Sequence, residues 1–172
     1  MMWLFVASFV FMAVSNNTAY AAPELPSDTT PSISLSSNTV TALVDVGDFN
    51  TLKTGSTTVS VTTPNPTGYT MTLTTSGAST NLVSGTNTIP TLSSNSSVSS
   101  FPVGRWGYSL DNTTYRPAPS VSGSGDTLAT TNEANSTANA YTLYIGAKVA
   151  NTQPSGTYTN TLVVTAVANP IT

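Results

Sequence analysis

The residues best equipped for chemistry lie close together in the middle of the chain. Trp106, Tyr108 and Tyr115 stand there with Arg105, Asp111 and Asn112, and Tyr144 follows further on. Aromatic rings pack on the C–H faces of sugars, while amide, carboxylate and guanidinium tips hold hydroxyls, so this set could form a carbohydrate-binding surface. Alternation argues the other way for part of it. Trp106, Tyr108 and Leu110 fall on one face of a strand, as core residues do. Tyr144 points away from the Leu143/Ile145 side and is the better candidate for an exposed ring.

Other chemistries find little material. The 172-residue chain has no His and no Cys. A Ser–His–Asp arrangement, a thiolate nucleophile, a disulfide framework and a Cys-ligated metal are therefore excluded. The two lysines, Lys53 and Lys148, sit in no Ser-x-x-Lys pattern. Carboxylate pairs are conceivable from Asp45 and Asp48, or from Asp111 and Asp126. Asp45, Asp48 and Asn50 also offer hard oxygen ligands, but their spacing is not that of an EF-hand loop, and a polar turn before Phe49 accounts for them. An internal isopeptide bond would have to join Lys53 or Lys148 to Asn160 or Asn169 with help from Asp45 or Asp48. Four basic residues against seven acidic ones give a net charge of −3, which supports no phosphate-binding patch and hence no nucleic-acid partner. The expectation is a non-catalytic chain without cofactor or metal.

The elements that must position these residues are strands. Only 6% of residues are charged, far below the ~25% usual for soluble domains. Ser, Thr and Asn occupy the water-facing positions instead. Mean hydropathy is +0.05, so the low-hydrophobicity, high-charge signature of disorder is absent. Period-two alternation recurs in SISLS (32–36), TTVSVTT (57–63), YTMTLT (69–74), YTLYIGAKV (141–149) and TYTNTLVVTAVA (157–168). In the last of these Leu162, Val164 and Ala166 are expected inward, or Val163 and Val167 if the register differs. Pro64, Asn65, Pro66 and Gly68 predict a hairpin or tight corner, and Pro154 with Gly156 predicts an antiparallel hairpin between the last two runs. Residues 81–84, 88–92 and 127–129 read as short strands, and residues 93–100 and 117–139 as exposed connections. No segment offers an amphipathic helix. The reading is all-β: an antiparallel two-sheet β-sandwich spanning residues 32–169.

The N-terminus differs in kind. Residues 3–14 (WLFVASFVFMAV) form an unbroken apolar run, too short to span a bilayer comfortably and typical of a signal-peptide core. Ala19, Tyr20 and Ala21 supply a small-x-small pattern, with cleavage expected after Ala21. No Lys or Arg precedes the run, which departs from the usual pattern. Residues 1–21 are thus expected to be a signal peptide, the membrane being met only there, and residues 22–31, with Pro23, Pro26 and Pro31, an extended leader.

The segments NPTGYTMTL (65–73), WGYSLD (106–111), YTLYIGAKV (141–149) and QPSGTYTNTLVVTAVAN (153–169) together resemble secreted surface proteins of the Patescibacteria, the ultrasmall and often host-attached bacteria that include Saccharibacteria. The resemblance covers most of the chain after the leader. It implies an immunoglobulin-like β-sandwich, an extracellular or cell-surface location and no catalytic residues. The expected function is a structural or adhesive module that presents loops and a sheet face to a surface protein or glycan, of host or bacterial origin. Self-association through uncovered edge strands is a further expectation, with residues 22–36 as the donated strand. The alternative is a carbohydrate-binding module using Trp106, Tyr108 or Tyr144.

Overall fold

The computed structural model describes residues 5–16 and 30–171. Its strands are β1 (Phe5–Asn16), β2 (Ser32–Leu35), β3 (Thr39–Val44), β4 (Leu52–Thr63), β5 (Tyr69–Thr75), β6 (Leu82–Ser84), β7 (Asn87–Ile89), β8 (Ser96–Ser97), β9 (Arg105–Ser109), β10 (Thr114–Tyr115), β11 (Asp126–Thr130), β12 (Asn135–Lys148) and β13 (Thr157–Ala168). Among the described residues there is no α-helix, only a 3-10 turn at Val46–Asp48. The larger sheet runs β11-β5-β13-β1-β3, with the β6–β7 hairpin attached to β13. A four-stranded sheet runs β2-β4-β12-β9, and β8 pairs with β10 in a small ribbon. Strand pairing is antiparallel throughout the described residues except between β1 and β13.

The alternation seen in the sequence is spent on one shared core. Val40, Ala42 and Val44 of β3, Met71 and Leu73 of β5, and Leu162, Val164 and Ala166 of β13 come from the larger sheet. Val59 and Val61 of β4, Trp106 and Tyr108 of β9, and Leu143, Ile145 and Ala147 of β12 meet them from the four-stranded sheet. The intervening Thr and Ser side chains face outward, where hydroxyls serve in place of ions. This all-β arrangement of antiparallel sheets is compatible with a β-sandwich.

Of the hairpin and the tight corner expected at residues 64–68, the structure has the corner, since β4 and β5 belong to different sheets. Asn65 makes the corner: its Nδ2 donates to Gly68 O (2.6 Å) and Asn169 O (2.9 Å). Gly68 has φ +75, and a Cβ there would lie 2.5 Å from the Thr131 backbone, so only glycine fits. The expected β12–β13 hairpin is instead a crossing. Both edges of β12 are taken by β4 and β9, and both edges of β13 by β5 and β1, so the two runs have no free edge for each other. β12 also begins earlier than its apolar pattern, at Asn135. Its polar start pairs with Thr63 and Val61 through a register shift, and an exposed end needs no apolar alternation.

The N-terminal run lies inside the sheet. Phe5–Asn16, which takes in most of the run 3–14 read as a signal-peptide core, is a strand between β13 and β3. It pairs with β13 in parallel from Val6↔Thr157 to Asn16↔Val167 and with β3 antiparallel from Phe5↔Val44 to Val10↔Thr39. The expected cleavage after Ala21 and most of the Pro-rich leader fall outside the described residues. Ser32–Leu35, expected as part of a donated strand, is β2 at the edge of the four-stranded sheet, paired with β4.

Candidate functional site

The site is built where β9 and β12 run side by side. Their register sets Gly107 directly opposite Gly146. These two glycines leave a bare patch on the face of the sheet away from the core. A Cβ on Gly146 would lie 2.6 Å from the Tyr115 ring, and one on Gly107 would lie 2.6 Å from Arg116 O and 2.7 Å from Leu92. The chain on either side of β9, residues 91–101 and 112–116, therefore folds down onto this patch. Leu92, Phe101 and Tyr115 bury themselves there as a second small core, with Leu52 packed against it. Phe101 meets Tyr115 edge-on, ring centroids 5.4 Å apart.

Each candidate residue can then be placed. Trp106 is fully buried in the main core, and its Nε1 donates to Thr80 O (3.0 Å). Tyr108 is also fully buried, and its hydroxyl donates to the Asp126 carboxylate on β11, tying the two sheets together. Burial and that carboxylate push the Tyr108 phenol well above the usual tyrosine range. Tyr115 is sealed in the small core and its hydroxyl donates to Asn112 Oδ1 (2.6 Å). Desolvation raises the Tyr115 phenol to about 12. Three rings of the proposed sugar surface are thus inside the protein. Tyr144 lies half-buried on the outer side of β12, opposite Ser109 and Ser56. It is the one aromatic of the set with ring surface open to solvent.

The polar members are occupied by the same framework. Arg105 donates from its guanidinium to Thr91 O (3.2 Å). Asp111 closes the turn between β9 and β10, accepting from Ser109 Oγ, Thr113 N and Thr114 N, each at 2.8 Å. Those backbone N–H groups hold its carboxyl well below the usual carboxylate range. Asn112 takes the left-handed position of the turn, φ 57, which Asn tolerates better than most residues. The structure brings Trp106, Tyr108, Tyr115, Arg105, Asp111 and Asn112 into one segment, but with the three rings buried and with Asp111 and Asn112, though exposed, engaged in hydrogen bonds of the turn.

The other sequence candidates separate. Asp48 forms an ion pair with Lys53 (2.6 Å), whose hydrogen bond lowers its carboxyl. Asn50 instead offers its backbone N–H to Val149 O from a left-handed φ of 63. Among the described residues no group of three His, Cys, Asp or Glu side chains is placed to hold a metal. Lys148 donates to Phe101 O (3.0 Å), pinning the small core, while Asn160 bonds Ser79 O and Asn81 O and Asn169 bonds Thr67 O and Thr131 O. Neither Asn faces a lysine through these contacts.

Sequence reasoning missed the glycine patch. Its signal was present: a Gly at the same outward position of two alternating runs, WGY and YIGA, marks close approach of another segment. No protein-family model matches the chain, and neither the curated proteins nor the solved structures gave a match.

Proposed function

We propose that this chain is an exported or cell-surface structural module of the immunoglobulin-like sandwich type, acting by adhesion or assembly without catalysis. The observation that carries the reading is where the aromatic side chains go. The largest rings are spent on a core shared by two sheets and on a plug over one of them. Their polar tips are hydrogen-bonded within the protein, from Tyr108 to Asp126 and from Tyr69 to the Tyr141 hydroxyl at 2.9 Å. Such a scaffold is rigid and faced with hydroxyls, and its connections are left to meet a partner. Val98 and Val103, before β9, and Val121, before β11, stand exposed on those connections. The leader-like apolar run and the resemblance to bacterial surface sandwiches support export. Fractionation and protease shaving of producing cells test it: the chain should be recovered outside the membrane and be cut by added protease. Retention in the cytoplasm overturns the reading.

The carbohydrate-binding alternative keeps one favourable observation, the half-open Tyr144 ring. Tyr144→Ala would abolish glycan binding if that reading held and leave folding unchanged.

A further inference from the structure

We propose that the cleft at the start of β12 is a saccharide-binding site, which takes a neutral sugar through its hydroxyls. The inference rests on the adhesive reading above and deepens it by naming the ligand class and the place.

The cleft arises from a mismatch between two paired strands. Asn135 of β12 lies opposite Thr63 of β4, and Asn139 lies opposite Val61. Four steps along β12 thus face two along β4, and residues 136–138 leave the ladder. On the facing side the chain leaves β4 at Thr63 and enters the corner at Pro64. Thr62, Thr63 and Pro64 line the cleft from β4 and the corner, and Ala134, Asn135 and Ser136 line it from β12. Its volume is about 440 Å³, within the range of small-molecule sites.

Asn135 sets the chemistry. Its Nδ2 donates to Val61 O (2.8 Å) and to Thr137 O (2.9 Å). Both partners are carbonyl oxygens, so the amide fits only one way round. Oδ1 is then left as a lone acceptor. Among the described residues it is the one buried side-chain polar atom with no hydrogen-bond partner. Buried polar groups are nearly always satisfied, so this exception, on a residue that lines a cleft, calls for a donor from outside the fold.

An amide oxygen only accepts, so the ligand has to bring a hydroxyl or an N–H. The rest of the lining chooses between them. It holds no charged side chain, and an ionic ligand would find no counter-charge there. The hydroxyls of Thr62 and Ser136 both donate and accept, as sugar hydroxyls do. Pro64 and Ala134, both exposed, offer C–H surface to a sugar ring. An extended peptide binds by adding to a strand edge. β4 has no such edge here, because Thr62 is paired with Ser32 of β2 and Thr63 with Asn135. The ligand is therefore held by side chains, and two bonds already fix the Asn135 amide before it arrives. The site is distinct from Tyr144, which lies opposite Ser56 further along β4.

NMR titration of the isotope-labelled full-length chain tests this, with glucose, galactose, mannose and N-acetylglucosamine as probes and glycerol as the control. At least one sugar should give saturable shifts of the Asn135 side-chain amide and of the Thr62, Thr63 and Ser136 backbone amides, while glycerol gives none that saturate. Ser136 is exposed, so Ser136→Leu should fill the cleft without moving the urea midpoint, and should weaken sugar binding about tenfold. Asn135→Ala should weaken it as much, at a cost in stability, because Val61 O loses its donor. No saturable shift with any of these sugars overturns the proposal. So do shifts that persist in Ser136→Leu, or that vanish in Tyr144→Ala instead and so place the sugar on the outer side of β12. Each of these failures leaves the export reading standing. Sugar binding at the cleft by a chain that never leaves the cytoplasm would keep the site and overturn the adhesive reading.

Discussion

β1 and β13 are both twelve-residue strands lying side by side, yet they are composed by different rules. β13, TYTNTLVVTAVA, alternates: Tyr158, Leu162, Val164 and Ala166 are buried, and Thr157 and Thr159 are exposed. β1, FVASFVFMAVSN, has no threonine and no alternation. A strand with one dry face needs apolar residues only at every second position. β13 meets that need and adds Val163 and Val167, half-buried, on its other face. β1 exceeds it further, with nine of its twelve positions apolar. Pairing in a sheet is therefore a backbone property that either composition can satisfy.

The largest test of this contrast removes β1. Deleting residues 1–16 should cost more stability than any single substitution described here, because β3 loses its sheet partner and β13 an edge. Chemical denaturation should show a much lower midpoint, and a hydrophobic dye should bind the folded form. An unchanged midpoint would mean that β1 is a passenger. Trp106→Ala comes next and should destabilise by ~3–5 kcal/mol, the range for a large buried aromatic, read as a shift in urea midpoint with an unchanged slope. Gly146→Val reverses the ordinary strand preference: in an open strand valine should stabilise, but here it meets the Tyr115 ring. A loss of ~1–3 kcal/mol is expected for such overpacking, with Gly77→Ala, where nothing lies within 4 Å, as the neutral control.

The smallest effects are those of pH. Tyr115 and Tyr141 are raised to about 12 by burial, with the Tyr69 hydroxyl contributing at Tyr141. A raised folded-state pKa means that their contribution is complete below the ordinary value of 10.0 and is lost as pH climbs through about 12. Absorbance titration should show these phenols ionising late, together with unfolding. Asp111 has the opposite sign. Its lowered pKa gives a contribution present above the ordinary carboxylate range and lost as acid protonates it, seen as earlier exchange of the Thr113 and Thr114 amides at low pH.

The legible part of the fold was the part written in period two. β5, the middle of β4 and the runs ending at Lys148 and Ala168 could be read directly, with Leu162, Val164 and Ala166 inward as expected. What could not be read was which strand pairs with which. The turn after Val149 looks like a hairpin because turn chemistry is local, whereas its role as a crossing is fixed by edges already occupied by β4, β9, β5 and β1. The polar start of β12 was hidden because an exposed strand end carries no apolar signature. At the candidate site, the alternation of Trp106, Tyr108 and Leu110 already indicated a core face. Tyr115 belongs to the second, smaller core, which depends on Gly107 and Gly146 meeting across two strands far apart in sequence. The corner at Asn65 and Asn169 was equally silent, since its bonds join residues about a hundred positions apart.

Hydrogen–deuterium exchange on the full-length chain tests the central claim most directly. If Phe5–Asn16 is the strand that joins β3 to β13, the amides of residues 39–44 and 157–167 should exchange slowly and as one cooperative unit with β5. Fast exchange across residues 39–44 beside a protected β5 would show β3 unpaired, and would contradict the account.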